Sequence, residues 1–270
     1  MNLNKNSPIG IFDSGIGGLT VAAAIKKILP QENLIYFGDT AHLPYGEKAA
    51  ESIKHYSVQI AGFLAEKKCK AIVIACNTIS AVAFNDVRKY IDKNIAVYNV
   101  IDPVAEFVAA HYPIQKVGVI ATKATINSRV YAKRINKLSA TTIVTSLATP
   151  LLVPMIEEGY YNNNISQAII NSYLSKPSLA GIKAIVLGCT HFPLIKKEVA
   201  NYYKNKVKII DSAHIVAMYI KNSLEKNNLL KEKTGGKDIF YVSDYTTSFD
   251  ESTKIFFAKD VGLKEQRLWD

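Results

Sequence analysis

Two cysteines, each closing one copy of a nearly repeated stretch, are the residues in this chain best suited to chemistry. Residues 70–78 read Lys-Ala-Ile-Val-Ile-Ala-Cys-Asn-Thr and residues 183–191 read Lys-Ala-Ile-Val-Leu-Gly-Cys-Thr-His, so five of the first seven positions are identical. Each aliphatic run fits a strand buried on both faces. Each ends at a thiol, Cys76 or Cys189, followed by amide, hydroxyl or imidazole side chains. Ligands of open parallel sheets bind at the carboxyl ends of the strands. The repeat therefore points both thiols at one ligand.

Three chemistries are open to such a pair. Disulfide exchange wants Cys-x-x-Cys, which is absent. Metal binding could draw on Cys76, Cys189 and His191 as three ligands. In the third, one thiolate removes a proton from a carbon and the opposing thiol delivers one to the other face, inverting a stereocentre. A free thiol with a pKa of about 8.5 is only about 3% thiolate at pH 7, so this chemistry needs a neighbouring base. His191 stands two residues from Cys189, and Asp13 reaches Cys76 if the first and third strands are neighbours. Ser14, Asn77, Thr78 and Thr190 supply donors and acceptors suited to an amino acid's α-carboxylate and ammonium.

The elements that must position these groups alternate between strand and helix. Pro8–Phe12 reads as a strand, followed by Asp13-Ser14-Gly15-Ile16-Gly17-Gly18-Leu19-Thr20 and a helix over 18–28. Thr20 stands where G-x-G-x-x-G has its third glycine, so the cluster is a weak dinucleotide signal. Its glycines suit close approach of a ligand, with N–H groups at the helix start facing a carboxylate. Asp13 is either a loop cap or a proton acceptor. A strand at 34–37 leads into Leu43-Pro44-Tyr45-Gly46, a turn that turns a ring and N–H groups outward; His42 before it is read as structural, with a place at the cleft entrance as the lesser alternative. Helices over 47–67 and 79–90 flank the first cysteine strand, and a strand at 95–100 precedes the helix start Asp102-Pro103.

The second half repeats this order. It has strands at 116–120, 141–147, 183–188 and 207–210, and helices over 126–138, 163–175 and from Thr190 onward. Residues 150–159 show poor periodicity. Asp211 caps a helix to about 225, residues 226–237 form a loop, and 239–258 hold one more strand and helix. The class is α/β: two similar lobes, each a mostly parallel sheet flanked by helices, with the active site in the cleft between them.

Composition narrows the function classes. The chain has 270 residues, is 49% hydrophobic and has a net charge of +10. Only four of its 33 basic residues are arginine (Arg88, Arg129, Arg134, Arg267), and the lysines are scattered, so a solvated basic surface is favoured over dedicated nucleic-acid binding. No apolar run reaches membrane-spanning length, and no hydrophobic stretch at the start resembles a signal peptide. Three cysteines without framework spacing argue against a disulfide scaffold. A reduced, cytoplasmic protein is expected, with Cys69 structural.

At these residues the chain closely resembles the glutamate racemases of the cofactor-independent aspartate/glutamate racemase family. The matching motifs are Asp13 to Val21, Pro44-Tyr45-Gly46, Ala75-Cys76-Asn77-Thr78 and Gly188-Cys189-Thr190-His191-Phe192-Pro193. The resemblance implies lobes of 1–99 with 210–270 and of 100–209. It implies Cys76 and Cys189 as the acid/base thiols, Asp13 assisting the first, and Glu157 with His191 assisting the second. Glu157 follows from a Glu-x-Gly pattern, with Glu158 beside it. Implied substrate contacts are Asp13, Ser14, Tyr45, Gly46, Asn77, Thr78, Thr125, Thr190 and His191. His191 stands where related aspartate racemases tend to have glutamate, which favours glutamate as substrate. No arginine falls at a site position, so hydroxyls, amides and backbone N–H groups would hold the carboxylates. The resemblance further implies no cofactor and no metal, a homodimer, and D-glutamate supply for peptidoglycan; the composition adds no membrane partner and makes a nucleic-acid partner the disfavoured reading. The alternatives are a racemase for aspartate or another acidic amino acid, or an amino-acid-binding or nucleic-acid-associated protein on the same fold.

Overall fold

The computed structural model describes residues 4–233, 237–257 and 261–269. The chain alternates through β1 (Ile9–Asp13), α1 (Leu19–Ile28), β2 (Leu34–Gly38), α2 (Ala50–Glu66), β3 (Ala71–Ile74), α3 (Asn77–Val82), α4 (Phe84–Tyr90), β4 (Ala96–Asn99) and α5 (Ile101–His111). It continues through β5 (Lys116–Ala121), α6 (Lys123–Ser128), α7 (Val130–Leu138), β6 (Ile143–Ala148), α8 (Leu152–Glu157), α9 (Asn164–Leu174), β7 (Ala184–Gly188) and α10 (Lys196–Tyr202). The last elements are β8 (Lys208–Asp211), α11 (Ser212–Lys226), β9 (Ile239–Val242), α12 (Thr247–Phe257) and β10 (Lys264–Glu265). Two compact units result, Met1–Val100 with Ala213–Asp270, and Ile101–Ser212.

The first unit holds a sheet of order β10-β9-β2-β1-β3-β4 and the second a sheet of order β6-β5-β7-β8. Every pairing is parallel. The stretch β2-β1-β3-β4 has the same strand order as the whole second sheet, and the two cysteine strands, β3 and β7, hold the same place in it. The near-identity of their sequences is thus a near-identity of position. Central strands β1, β3 and β7 are buried along their whole length, which is why they read as unbroken aliphatic runs.

The first core packs Phe12, Phe37, Ile53, Ile60, Leu64, Ile72, Ile74 and Ile79 between strands and helices. The second packs Ile120, Leu152, Ile156, Ile170, Ile185, Leu187, Phe192 and Val199. A buried ion pair ties the first unit's edges: Lys70 Nζ meets Glu32 Oε2 at 2.6 Å and donates to the carbonyls of Lys5 and Leu229.

Several expected helices differ. The helix expected over 79–90 starts two residues earlier and is split at Ala83, whose φ of −118° leaves helical geometry. The one expected over 126–138 is broken at Arg129, which takes the left-handed conformation with φ 55°. The poorly periodic 150–159 stretch contains α8, short and with Pro154 inside it. After Thr190 the chain first makes a 3-10 turn, Phe192–Ile195, before α10. The two-residue strand β10 follows the expected last helix. Of the loop expected over 226–237, residues 234–236 lie outside the described residues, as does residue 258.

Candidate active site

In the first unit the site is built at the ends of β1, β2 and β3. Asp13, fully buried at the end of β1, accepts the N–H groups of Gly15 at 3.1 Å and Gly18 at 3.0 Å on Oδ2. The expectation that these N–H groups face a ligand is corrected here, because the protein's own carboxylate occupies them. Two glycines are required for geometric reasons. A Cβ on Gly18 would lie 2.5 Å from Asp13 Cβ, and one on Gly38 would lie 2.2 Å from the Gly15 carbonyl oxygen. Tyr36 donates to that same Gly15 oxygen at 2.8 Å. The Asp13–Gly18 loop is thereby pinned from both sides, and Ser14, at its tip, meets Cys76 with Oγ 3.6 Å from Sγ.

Cys76 lies two residues beyond β3 and is the N-cap of α3, where the helix start favours negative charge on sulfur. The pairing of β1 with β3 puts Asp13 and Cys76 at the same sheet end, as the Asp13 assignment requires. Asn77 and Thr78 form the buried first turn of α3. Burial pushes the Tyr36 hydroxyl well above its ordinary range, with the charges of Asp13 and Cys76 adding to it. Burial likewise raises Tyr45, followed by its bond to Asp39 and the charge of Cys76. Two protonated phenols therefore lie within electrostatic reach of this thiol.

In the second unit the corresponding thiol has a built partner. Cys189 Sγ lies 3.7 Å from His191 Nδ1, and His191 Nε2 lies 3.1 Å from Glu157 Oε1. Burial alone would lower the imidazole; hydrogen bonds to Cys189 and Glu157 and their charges outweigh it, and the result is a rise to about 10. A cationic ring between a sulfur and a carboxylate can hold negative charge on the sulfur or hand it a proton. Of the adjacent carboxylates, Glu157 makes this ion pair, whereas Glu158 caps the end of α8. Thr190 is buried beside Cys189 in the chain, and Thr125 is buried in the first turn of α6, its amide donating to the N-cap Thr122 hydroxyl. Tyr131 is fully buried and raised by burial, then by the charge of Cys189.

The phenols Tyr36 and Tyr131 escape a reading of the sequence, since nothing local marks a core tyrosine as a thiol's neighbour. Asp39 also escapes it, one residue beyond the Gly38 that pairs with Asp13. It is fully buried and accepts hydrogen bonds from Tyr45 Oη at 2.5 Å, His42 Nδ1 at 2.8 Å and Ser243 Oγ at 2.7 Å. His42 is thus committed to a carboxylate. All three cysteines are free thiols, and burial pushes Cys69 up to about 12. Among the described residues no cluster of three or more His, Cys, Asp or Glu side chains is placed to hold a metal ion, and no helix is long and apolar enough to cross a membrane.

The chain as a whole is similar to known proteins. The family profile described as Asp/Glu/Hydantoin racemase matches residues 19–220. A glutamate racemase from Neisseria meningitidis is 44% identical over 250 residues, 92% of each chain. One from Geobacter metallireducens is 43% identical over 255 residues, 94% of each. Among solved structures, glutamate racemase from Francisella tularensis in complex with D-glutamate is similar with a TM-score of 0.92, at 39% identity over 98% of both chains.

Proposed function

The chain belongs to the Asp/Glu/Hydantoin racemase family, and from that premise we propose that it interconverts L- and D-glutamate with Cys76 and Cys189 as the two acid/base groups. One thiolate takes the α-proton while the other thiol donates to the opposite face. One S–H bond forms and one breaks in each inversion, so no electrons are gained or lost. Asp13 assists Cys76, and His191 with Glu157 assists Cys189. Ser14, Tyr45, Gly46, Asn77, Thr78, Thr125, Thr190 and His191 hold the substrate through hydroxyls, amides, imidazole and backbone N–H groups. The scheme asks for no metal and no pyridoxal phosphate.

One observation supports this reading above the others: β3 and β7, which hold equivalent places in a four-strand order common to both sheets, each lead into a buried, hydrogen-bonded cysteine that is not in a disulfide. A buried cysteine is ordinarily packed as a small hydrophobe. These two border the apolar cores and in addition meet polar side chains, Ser14 at Cys76 and His191 at Cys189. We further assign the protein to the cytoplasm as a homodimer supplying D-glutamate for peptidoglycan. Racemisation followed by circular dichroism from either enantiomer tests the chemistry. Cys76→Ser and Cys189→Ser should each lose about 10²–10⁴-fold in turnover, with chelators and carbonyl reagents leaving the unaltered protein active. Full activity in either variant would reject the two-thiol assignment.

A further inference from the structure

A chain of contacts runs from the last described residues to the turn that carries Tyr45. Strand β10 pairs with β9, and Gln266 N–H donates to the Val242 carbonyl at 2.8 Å, which brings Leu268 and Trp269 against the first core. The Trp269 ring meets the His42 ring edge-on at 4.8 Å between centroids and the Tyr56 ring at 5.3 Å. His42 is itself stacked on Tyr56 at 4.0 Å, 19° from parallel. The imidazole therefore has one face on Tyr56, the indole beside it, and its Nδ1 on Asp39. Asp39 in turn accepts the Tyr45 hydroxyl, and its second oxygen accepts Ser243 from the residue after β9. Late residues also fix the backbone around it: Ala41 N–H donates to Ser243 Oγ at 2.9 Å, and Thr40 Oγ1 donates to the Asp244 carbonyl.

We propose that Trp269 and His42 are positioning residues for substrate binding, acting through Asp39 to hold the Tyr45–Gly46 turn in its ligand-ready geometry. The inference rests on the reading of that turn as a glutamate contact. Its physical basis is the layout of anchors. The turn 39–46 has little regular structure beyond two three-residue 3-10 turns, Thr40–His42 and Tyr45–Glu47. Such a segment holds one conformation only if its side chains are tied down. Asp39 is the knot, and the rings of His42, Tyr56 and Trp269 fill the space on one side of it. With the indole removed, His42 can swing off Asp39, one of the three bonds to the carboxylate is lost, and Tyr45 loosens. A loosened turn must be reordered each time substrate binds, which weakens binding before it slows proton transfer.

Two readouts on the full chain test this. In Trp269→Ala the KM for each glutamate enantiomer should rise about five- to tenfold, in line with the typical net contribution of one intramolecular hydrogen bond, while kcat stays within about twofold. Trp269→Phe, which keeps an aromatic edge at His42, should bring KM back to within about twofold of the starting protein. His42→Ala, with Tyr56 left in place, should reproduce the Trp269→Ala result. In both alanine variants backbone hydrogen exchange over residues 39–47 should quicken about five- to tenfold, with exchange in β5 and β7 unchanged. An unchanged KM in both alanine variants, a fall in kcat without a rise in KM, failure of the phenylalanine to restore KM, or unaltered exchange over 39–47 would each overturn the proposal. If the starting protein does not turn over glutamate at all, the functional reading fails on its own. The exchange measurement then still decides whether Trp269 holds the turn.

Discussion

Cys189 and His191 stand two positions apart in the chain and their side chains meet, Sγ to Nδ1 at 3.7 Å, at the end of a fully buried strand. Residues i and i+2 of an extended strand share a face but stand about 6.6 Å apart along it. Here the chain leaves β7 at Gly188 and turns, so the i and i+2 side chains converge. The second ring nitrogen is engaged by Glu157, from a helix that ends more than 30 positions earlier. The imidazole is therefore fixed at both ends, and its orientation toward the sulfur does not depend on bound substrate.

This arrangement has a pH signature. Because His191 is raised to about 10 in the folded chain against an ordinary value near 6.5, its charge interactions stabilise the fold fully below about pH 6.5. That contribution is lost as pH rises through about 10. Thermal stability followed across pH 6 to about 11 should fall along that window, and His191→Asn should flatten the fall. Turnover in His191→Asn should drop by about 10²-fold or more at pH 7, reflecting the lost proton carrier beside Cys189. A pH profile of stability identical in both proteins would remove the proposed role of the charged imidazole.

Gly18→Ala tests the first unit's loop. The added methyl would sit 2.5 Å from Asp13 Cβ and 2.9 Å from the Tyr36 hydroxyl, both themselves buried. Relief requires moving Asp13, which breaks its bonds to Gly15 and Gly18 and shifts Ser14 relative to Cys76. A stability loss of about 1–3 kcal/mol is expected from the overpacking. Misplacement of catalytic groups by about 1 Å can cost about 10²-fold in rate. Urea unfolding and steady-state turnover measured side by side check both, and an active, fully stable Gly18→Ala would show that the loop has room this geometry denies it.

Lys70→Met addresses the fold apart from the chemistry. Lys70 and Glu32 are both buried; burial pushes the ammonium down, and the Glu32 bond and charge pull it back up. Removing the lysine alone leaves a buried carboxylate without its cation, at a cost of about 3–5 kcal/mol. The double variant Lys70→Met with Glu32→Leu should recover much of that loss. Unfolding by urea gives the comparison directly, and additive losses in the double variant would show that the two residues do not act as a pair.

Much of this architecture was legible before any coordinates. Strands buried on both faces leave unbroken aliphatic runs, so β1, β3 and β7 and the thiols beyond them could be read directly. The four-strand order shared by the two sheets was foreshadowed by the repeated Lys-Ala-Ile-Val. What escaped had no local signal. Arg129 breaks a helix by adopting φ 55°, which side-chain periodicity does not report. Helix α8 is only six residues long, too short to show a helical period, and Pro154, its third residue, reads as a breaker although the N–H it lacks is one that a first turn leaves unpaired anyway. The Asp39 cluster joins positions 39 and 243, whose proximity follows only from the pairing of β2 with β9. The loop N–H groups of Gly15 and Gly18 looked like ligand donors because the sequence does not reveal that Asp13 turns back onto them.

The central claim is that two separate monoprotic thiols serve the two faces of one carbon, and deuterium labelling in heavy water tests it most directly. Starting from a single glutamate enantiomer and stopping at low conversion, the opposite enantiomer should carry deuterium at the α-carbon while the recovered starting material keeps its hydrogen. The same pattern should hold from the other enantiomer. Deuterium entering the starting enantiomer as quickly as the product would mean that a single group both removes and returns the proton, and would contradict the account.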